Sequence, residues 1–128
     1  MLRFIHNTRK KDAKLTGDLS THELKSALHA VLRMIQKDAF PVEMQQLKAD
    51  EALKTNNKIL PLAPYFDTKT GLIRVGGRLT QSALPELFKY PFLLPQKGDF
   101  KTLLVRQAHE ETLHGGASLT LAKLRQMF

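Results

Sequence analysis

The sequence predicts an α+β fold that consists of a helical hairpin, a small β-rich subdomain and two further helices. Three observations predict it. Apolar residues recur at helical spacing after residue 20, short apolar segments bounded by proline and glycine fill the middle of the chain, and helical spacing returns after residue 98. We therefore divide the chain into a basic lead segment (1–17), a helical connector (18–56), a β-rich subdomain (57–97) and a final helical region (98–128).

Charge, a capping pair and apolar periodicity predict the structure of the lead segment and the helical connector. Residues 1–17 are basic, and their apolar cluster Leu2, Phe4 and Ile5 resembles the tail of a helix begun further upstream, which would make Met1 an internal residue. Ser20 and Glu23 have the spacing of a capping box and start a long helix. Its predicted inner stripe consists of Leu24, Leu28, Val31, Leu32 and Ile35.

A second helix completes the predicted hairpin. Pro41 suits the first turn of a helix, and Met44, Leu47 and Leu53 are expected to face inward. The two histidines of this region, His22 and His29, are predicted to lie at the surface or at its boundary.

The β-rich subdomain is predicted from three apolar segments, "ILPLAPYFD", "GLIRVGGRL" and "YPFLLP". The sequence "DTKTG" (67–71) has the composition of a turn that joins the first two. Alternation places Ile73 and Val75 on one face of the second strand, with Leu72 and Arg74 on the other. The pair Gly76–Gly77 predicts a bend where backbone passes closely. Prolines 91 and 95 predict that the third strand is a short edge strand.

Two helices are predicted in the final region. Asp99 is expected to cap the first, whose inner stripe contains Phe100, Leu103, Leu104 and Gln107. This helix should end near His114, with Gly115 or Gly116 in the left-handed conformation. Ser118 is expected to cap the second helix, whose inner face contains Leu121, Leu124 and Phe128.

The charge balance predicts polyanionic partners. The 128 residues include 20 Lys and Arg against 12 Asp and Glu, for a net charge of +8. The excess lies at the ends, with +4 in residues 1–16 and +5 in residues 69–128, whereas residues 17–68 carry −1. This distribution favours nucleic acid first and an acidic membrane surface second.

The absence of cysteine excludes disulfides and any complete cysteine-ligated zinc site within these residues. No apolar run approaches the length of a membrane span, and the first residues lack the apolar stretch of a signal peptide. We therefore expect a cytoplasmic or nuclear location and no secretion.

The sequence "AHEETLHGG" (108–116) allows three interpretations of its two histidines. A zinc protease needs H-E-x-x-H, but His109 and His114 are five residues apart, which on one helix leaves the imidazoles roughly 140° apart. The protease interpretation therefore fails. If the helix ends between the histidines, they can form half of a structural zinc site. They can also be ordinary residues at a helix end, with His114 near the negative end of the helix dipole.

A longer string extends this pattern. The segments "GLIRVGGRL" and "YPFLLPQKGDFKTLLVRQAHEETLHGGASLTLAKLRQMF" resemble the BEL/Pao type of long-terminal-repeat retrotransposon polyprotein. The matching part leads into, and begins, the integrase zinc-binding domain. "LRFIHN" and "LSTHELKSALHAVLRMIQKDAFPVEMQQL" resemble the connector that precedes the integrase in the same family, so the resemblance covers nearly the whole chain.

The resemblance implies a cofactor and its ligands. In this family His109 and His114 correspond to the histidines of a His-His-Cys-Cys zinc site, whose Cys-x-x-Cys would lie beyond Phe128. Residues 98–128 would then be a truncated zinc-binding domain, the first half of a zinc-binding helical unit, and zinc is expected only with the downstream cysteines.

The resemblance also implies what the fragment does. The integrase catalytic core would follow further downstream, so the fragment itself is expected not to be an enzyme, and none of its residues is assigned as catalytic. Its expected partners are DNA, mostly without sequence preference at the element ends, and other integrase copies or polyprotein segments. No membrane and no small-molecule substrate is expected. The alternative is a metal-independent nucleic-acid-binding or protein-interaction module derived from such an element.

Four basic residues are candidates for nucleic-acid contact. Arg74 and Arg78 flank the Gly76–Gly77 bend, and arginine suits bidentate contact with phosphate. Lys123 and Arg125 lie on the last predicted helix. A solvated or salt-bridged face is the alternative for all four.

Overall fold

The computed structural model describes residues 1–9, 14–76, 89–96, 98–126 and 128. Within these ranges the chain forms five α-helices, one short 3-10 turn and a two-stranded antiparallel sheet, which confirms the predicted α+β class. The elements are α1 (Leu2–Arg9), α2 (Thr21–Ala39), α3 (Pro41–Lys48), the 3-10 turn (Leu60–Leu62), β1 (Pro64–Asp67), β2 (Leu72–Val75), α4 (Asp99–Glu111) and α5 (Ala117–Leu124).

The lead segment begins as a helix that is fixed to the start of α2. The Arg3 guanidinium donates to both carboxylate oxygens of Glu23, at 2.7 Å each, and also to the carbonyls of Gly17 and Asp18. Such a bidentate pair restrains both side chains. α1 therefore packs beside the first turns of α2.

α2 starts at the predicted capping box. The Ser20 hydroxyl accepts from the Glu23 backbone N–H, and the Glu23 carboxylate accepts from the Ser20 backbone N–H. The predicted inner stripe is partly wrong, since Leu24 and Val31 are 54% and 41% exposed. Because α2 packs on the sheet along one narrow line, its inner residues recur every fourth position, at Leu28, Leu32 and Gln36.

A single residue, Phe40, connects α2 to α3. Pro41 is the first residue of α3, as predicted, and Met44 is buried while Leu47 is partly buried against the same core. Leu53 is also buried, although it lies beyond the end of α3. Both helices of the predicted helical hairpin are therefore present and contact each other, and one residue connects them.

β1 and β2 form the predicted hairpin, in which Pro64 pairs with Val75 and Asp67 with Leu72. Residues 67–71 form its turn. The Gly71 N–H donates to the Asp67 carbonyl at 2.7 Å, and the Asp67 carboxylate accepts from the Lys69 N–H and the Thr70 hydroxyl. The beginning of the first predicted strand is wrong, because Leu60–Leu62 forms a 3-10 turn that ends at Ala63, in the left-handed region with φ 47°.

The predicted alternation along β2 is confirmed. Ile73 and Val75 contribute to one core cluster, whereas Leu72 is buried in the other. The expected close approach occurs at Gly76, whose N–H donates to the Ala63 carbonyl at 2.9 Å. A Cβ at Gly76 would lie 2.6 Å from that oxygen, so a side chain does not fit here. Gly77 lies outside the described residues.

The third predicted strand is present only as an isolated antiparallel bridge between Arg74 and Phe92, and two residues account for this. On one side Pro91 accepts from the Val75 N–H at 2.9 Å but has no N–H to donate in return.

On the other side of the bridge, Gln36 interrupts the ladder. This register places Ile73 opposite Leu93, and a regular ladder would join them by two hydrogen bonds. The Leu93 N–H does donate to the Ile73 carbonyl. The fully buried Gln36 replaces the other bond: its Oε1 accepts from the Ile73 N–H at 2.7 Å, and its Nε2 donates to the Leu93 and Ile73 carbonyls at 2.8 Å each.

The core consists of two clusters on opposite faces of β2. The first contains Met44, Leu53, Ile59, Ile73 and Leu93. The second contains Leu32, Leu72 and Phe92, with Leu28, Leu94, Phe100 and Phe128 packed against it. Each cluster takes residues from both the predicted helical connector and the predicted β-rich subdomain, so these two regions share their cores. Phe100 and Phe128 attach the last two helices to the second cluster.

The starts of the last two helices differ from the prediction. Gly98 is the N-cap of α4, and Asp99 is the first residue of that helix. Gly116 is the N-cap of α5, and Ser118 is the second residue of that helix. Neither cap makes a side-chain hydrogen bond, because both are glycines. The inner stripes are partly wrong, since Leu103 and Leu121 are at least half exposed and Ala108 is the buried residue of α4.

In the parts of the chain given above, no helix combines the length and the apolar character that crossing a membrane requires.

Candidate functional site

The two histidines lie on either side of the C-terminus of α4. His109 is in its last turn, the helix ends at Glu111, and the backbone then turns through Leu113 and His114, with φ of 53° and 60°. The His114 N–H donates to the His109 carbonyl at 2.9 Å. The condition for a shared site, that the helix ends between the histidines, is therefore met.

The residues that make this turn are not the ones predicted. Neither Gly115 nor Gly116 has a positive φ, and Leu113 and His114 take the left-handed conformation instead. Gly115 is needed for space, because a Cβ there would lie 3.0 Å from both the Leu119 side chain and the Thr112 carbonyl. The absence of a side chain at Gly115 therefore allows α5 to pack closely against the end of α4.

The turn brings the two imidazoles together. Their ring centroids are 5.0 Å apart and the ring planes are inclined at 66°. A tetrahedral metal bonded to two imidazole nitrogens at about 2.1 Å would hold the ring centroids about 5 Å apart. His109 is half-buried and His114 is exposed, so the pair opens to solvent on one side. The spacing is compatible with two ligands of one metal ion, and it is also that of an ordinary edge-to-face ring contact.

Thr120 of α5 lies beneath His109 and was not singled out from the sequence. It is buried, and its hydroxyl is 3.5 Å from His109 Nδ1 and 3.4 Å from the carbonyls of Gly115 and Gly116. A contact at one ring nitrogen orients the other for a ligand. The one sequence signal for Thr120 is its place in the string "TLAKLRQMF", which follows the Gly115–Gly116 pair after three intervening residues.

The neighbouring carboxylates are already engaged. Glu110 pairs with Arg106 at 3.0 Å, and Glu111 accepts from Gln107 and from Lys123, the latter at 3.1 Å. The hydrogen bond from Gln107, followed by that from Lys123, lowers the pKa of Glu111. Among the residues that the structure describes, no three His, Cys, Asp or Glu side chains form a group able to hold a metal. Within these residues the histidine pair therefore has no third side chain of that kind beside it.

Arg74 is held by contacts inside the molecule. Its Nε donates to Asp67 at 2.8 Å, its Nη1 donates to the Tyr90 carbonyl at 2.9 Å, and its guanidinium carbon lies 4.5 Å from the centre of the Phe92 ring. Its side chain is 12% exposed. These contacts match the salt-bridged alternative, and phosphate contact by Arg74 stays a prediction.

The other predicted nucleic-acid contacts differ in availability. Lys123 is about two-fifths exposed and paired with Glu111, whereas Arg125 is exposed just after α5. Arg78 lies outside the described residues. Lys123 and Arg125 thus share the end of α5, adjacent to the helix that carries His109.

The two histidines of α2 lie where they were predicted. His22 is exposed on α2, and His29 is half-buried with its ring edge against Phe92, at a centroid distance of 5.4 Å. Burial lowers the pKa of His29, and the charge of Arg74 lowers it further.

Comparison with protein families, with curated proteins and with solved structures finds no match to this chain.

Proposed function

We propose that this chain is a non-catalytic part of a BEL/Pao-type retrotransposon polyprotein: the region that leads into an integrase and supplies the histidine half of its zinc site. The observation that carries the proposal is the pairing of the His109 and His114 rings at a centroid distance of 5.0 Å. A structural zinc site needs four ligands, and the two thiolates that complete it would come from residues outside these 128.

The role of such a site is structural. Zinc would join α4 and the turn that follows it to the cysteine-bearing segment, because ligand binding to a structural zinc contributes directly to folding. Thr120 would orient His109 from below. The assembled unit would help to hold the integrase on DNA at the element ends or on another integrase copy, in the cytoplasm or the nucleus.

Zinc titration of the chain tests the ligand assignment. Two imidazoles bind zinc much more weakly than a four-ligand site does, and more weakly at acid pH, where imidazole is protonated. We expect weak binding by calorimetry near neutral pH, lost in His109→Ala and in His114→Ala. The matched control is His22→Ala, on the exposed face of α2, which should bind as the unchanged chain does. Binding that survives both substitutions would overturn the assignment.

Cobalt binding tests whether the histidine pair can share a metal ion with two thiolates. Cobalt(II) reports tetrahedral thiolate coordination by its visible absorption, and a synthetic Cys-x-x-Cys peptide can supply the thiolates. We expect the chain to raise the cobalt affinity of that peptide, and His114→Ala to remove the increase. If the chain leaves the cobalt affinity of the peptide unchanged, the histidines are ordinary residues at a helix end.

A metal-independent nucleic-acid-binding module is the second candidate, and the net charge of +8 favours it. Binding through phosphates weakens linearly in log salt, with a slope that counts the phosphates neutralised. We expect duplexes of unrelated sequence to bind alike. The double variant Lys123→Ala/Arg125→Ala should reduce the slope by about 2. Lys54→Ala, an exposed lysine in the region of charge −1, serves as control. Strong sequence preference or salt-independent binding would contradict this candidate.

A further inference from the structure

Two donors hold the backbone of His109 at the end of α4. The His114 N–H donates to the His109 carbonyl at 2.9 Å, and the Thr112 hydroxyl donates to the same oxygen at 3.0 Å. Both lone pairs of that oxygen are therefore used. The remaining freedom of His109 is the rotation of its imidazole ring and the choice of the ring nitrogen that carries the proton.

The imidazole ring contacts the hydroxyl of Thr120 on the neighbouring helix. Thr120 is only 7% exposed, and its Oγ1 lies 3.5 Å from Nδ1 of His109. The same oxygen lies 3.4 Å from the carbonyl oxygens of Gly115 and Gly116. Because the two nitrogens of an imidazole lie on different sides of the ring, the contact at Nδ1 directs Nε2 away from Thr120.

A count of protons decides which atom donates in this contact. Threonine has one hydroxyl proton, and a carbonyl oxygen can only accept. A threonine inside a helix commonly donates to the carbonyl of residue i−4, which is Gly116 here. With the hydroxyl proton on the carbonyl side, Nδ1 of His109 forms a hydrogen bond to Thr120 only if Nδ1 itself carries a proton. The reverse arrangement leaves two carbonyl oxygens facing the hydroxyl oxygen with no proton between them.

We propose that Thr120 selects the tautomer of His109 that is protonated on Nδ1 and thereby makes Nε2 the nitrogen that binds a metal ion. A histidine ligand ordinarily donates its second ring N–H to a polar group, which fixes both the tautomer and the ring orientation. Thr120 is thus a positioning residue that acts through His109. The ligand role of Nε2 rests on the function proposed above, whereas the tautomer itself requires no metal.

Nitrogen-15 NMR of the metal-free chain tests the tautomer, because protonated and unprotonated ring nitrogens differ widely in chemical shift. The spectra are recorded at about pH 8.5, where imidazole is neutral. His22, which is exposed on α2, gives the tautomer ratio of a solvated ring in the same sample. We expect the His109 proton to reside mainly on Nδ1, in a larger fraction than in His22. A His109 ring protonated mainly on Nε2, or a ratio equal to that of His22, would overturn the proposal.

Three variants test the role of the hydroxyl. Thr120→Val keeps the shape of the side chain without its hydroxyl and should return the tautomer ratio of His109 to that of His22, whereas Thr120→Ser should keep the original ratio. The matched control is Thr112→Val, which removes a hydroxyl that contacts the His109 carbonyl and should leave the ratio unchanged. Circular dichroism checks that helicity is kept, and Thr120→Ala replaces Thr120→Val if it is not. A ratio that survives loss of the Thr120 hydroxyl, or that changes equally in Thr112→Val, contradicts the proposal.

Zinc added to the unchanged chain tests the ligand atom. We expect the Nε2 resonance of His109 to shift as zinc binds while Nδ1 stays protonated. Zinc binding at Nδ1 would show that the assignment of the ligand atom is wrong. If zinc shifts neither resonance, the zinc role and the ligand role of Nε2 both fail, and the tautomer measured without metal still decides whether Thr120 selects it.

Discussion

At the scale of single residues, the Gln36 amide determines how the sheet ends. It makes three hydrogen bonds to Ile73 and Leu93 within a fully buried space. We expect Gln36→Met, which keeps the volume but removes the amide, to lower the free energy of unfolding by about 3 kcal/mol, because buried backbone groups then lose their partners. Urea unfolding followed by circular dichroism measures the change.

The control for this variant is Gln45→Met, an exposed glutamine on α3, which should change stability by no more than about 0.5 kcal/mol. Equal effects of the two substitutions would show that the Gln36 bonds contribute nothing specific to stability.

The Arg3–Glu23 pair should be detectable as a lowered pKa of the Glu23 carboxyl. The hydrogen bond from Arg3, followed by that from the Ser20 backbone, lowers the pKa of Glu23 from 4.5 to about 2. A depressed carboxyl pKa stabilises the fold above pH 4.5, and the contribution is lost as the pH falls toward 2. We expect the carboxyl ¹³C shift of Glu23 to titrate near 2, and Arg3→Met to move its midpoint part of the way back toward 4.5. Arg9→Met should leave the midpoint where it is; a shift in Arg9→Met as large as that in Arg3→Met would contradict the assignment.

At the scale of elements, the turn after α4 stores conformational strain. Leu113 has a φ of 53° and is 88% exposed, so its side chain gains little in return. We expect Leu113→Gly to stabilise the chain by about 1 kcal/mol, because glycine takes the left-handed conformation without steric cost. Thermal unfolding measures the change. Leu121→Gly, at a half-exposed position inside α5, should destabilise by about 1 kcal/mol, and the same sign for both would refute the argument.

Local signals predicted the elements that local chemistry controls. The capping box at Ser20, the proline at the start of α3 and the turn 67–71 occur where sequence placed them, because each depends on residues within four positions. The third strand is reduced to a bridge because Pro91 has no N–H to donate and because Gln36, which lies 57 residues from Leu93, occupies the Leu93 carbonyl. The proline was visible in the sequence, but the distant glutamine gave no local signal. Glycine preference misplaced the left-handed residues, because Leu113 and His114 adopt this conformation while Gly115 serves the close packing of α5.

At the scale of the whole molecule, Phe92 joins three of the four regions of the chain, namely the helical connector, the β-rich subdomain and the final helical region. Its ring contacts His29 of α2, the Arg74 guanidinium of β2 and Phe128 after α5. We expect Phe92→Ala to lower the free energy of unfolding by about 3–5 kcal/mol, as loss of a buried aromatic ring does. Phe4→Ala, at a 74% exposed position, is the matched control and should cost less than about 0.5 kcal/mol. Equal losses would mean that Phe92 does not join these regions in solution.

The candidate site could be predicted only in part, for reasons that lie at this same scale. Spacing identified His109 and His114, but their proximity depends on where α4 ends and on how α5 packs. Charge identified Arg74 as a candidate. Its ion pair with Asp67 depends on the β1–β2 hairpin, which charge alone does not reveal. Thr120 had only its place in the string "TLAKLRQMF" as a signal, because its hydroxyl matters here only through its contact with the His109 ring.

The Gln36 contacts also bear on the order of folding. They join residues 37 and 57 positions apart, so closing these loops costs chain entropy that short-range contacts do not incur. α2 and the β1–β2 hairpin depend on near neighbours and can form early. We therefore expect residues 91–94 to join the sheet in a late step, after α2 has placed the Gln36 amide beside Ile73 and Leu93. A chain emerging from the ribosome must be synthesised past Leu93 before its central fold can close.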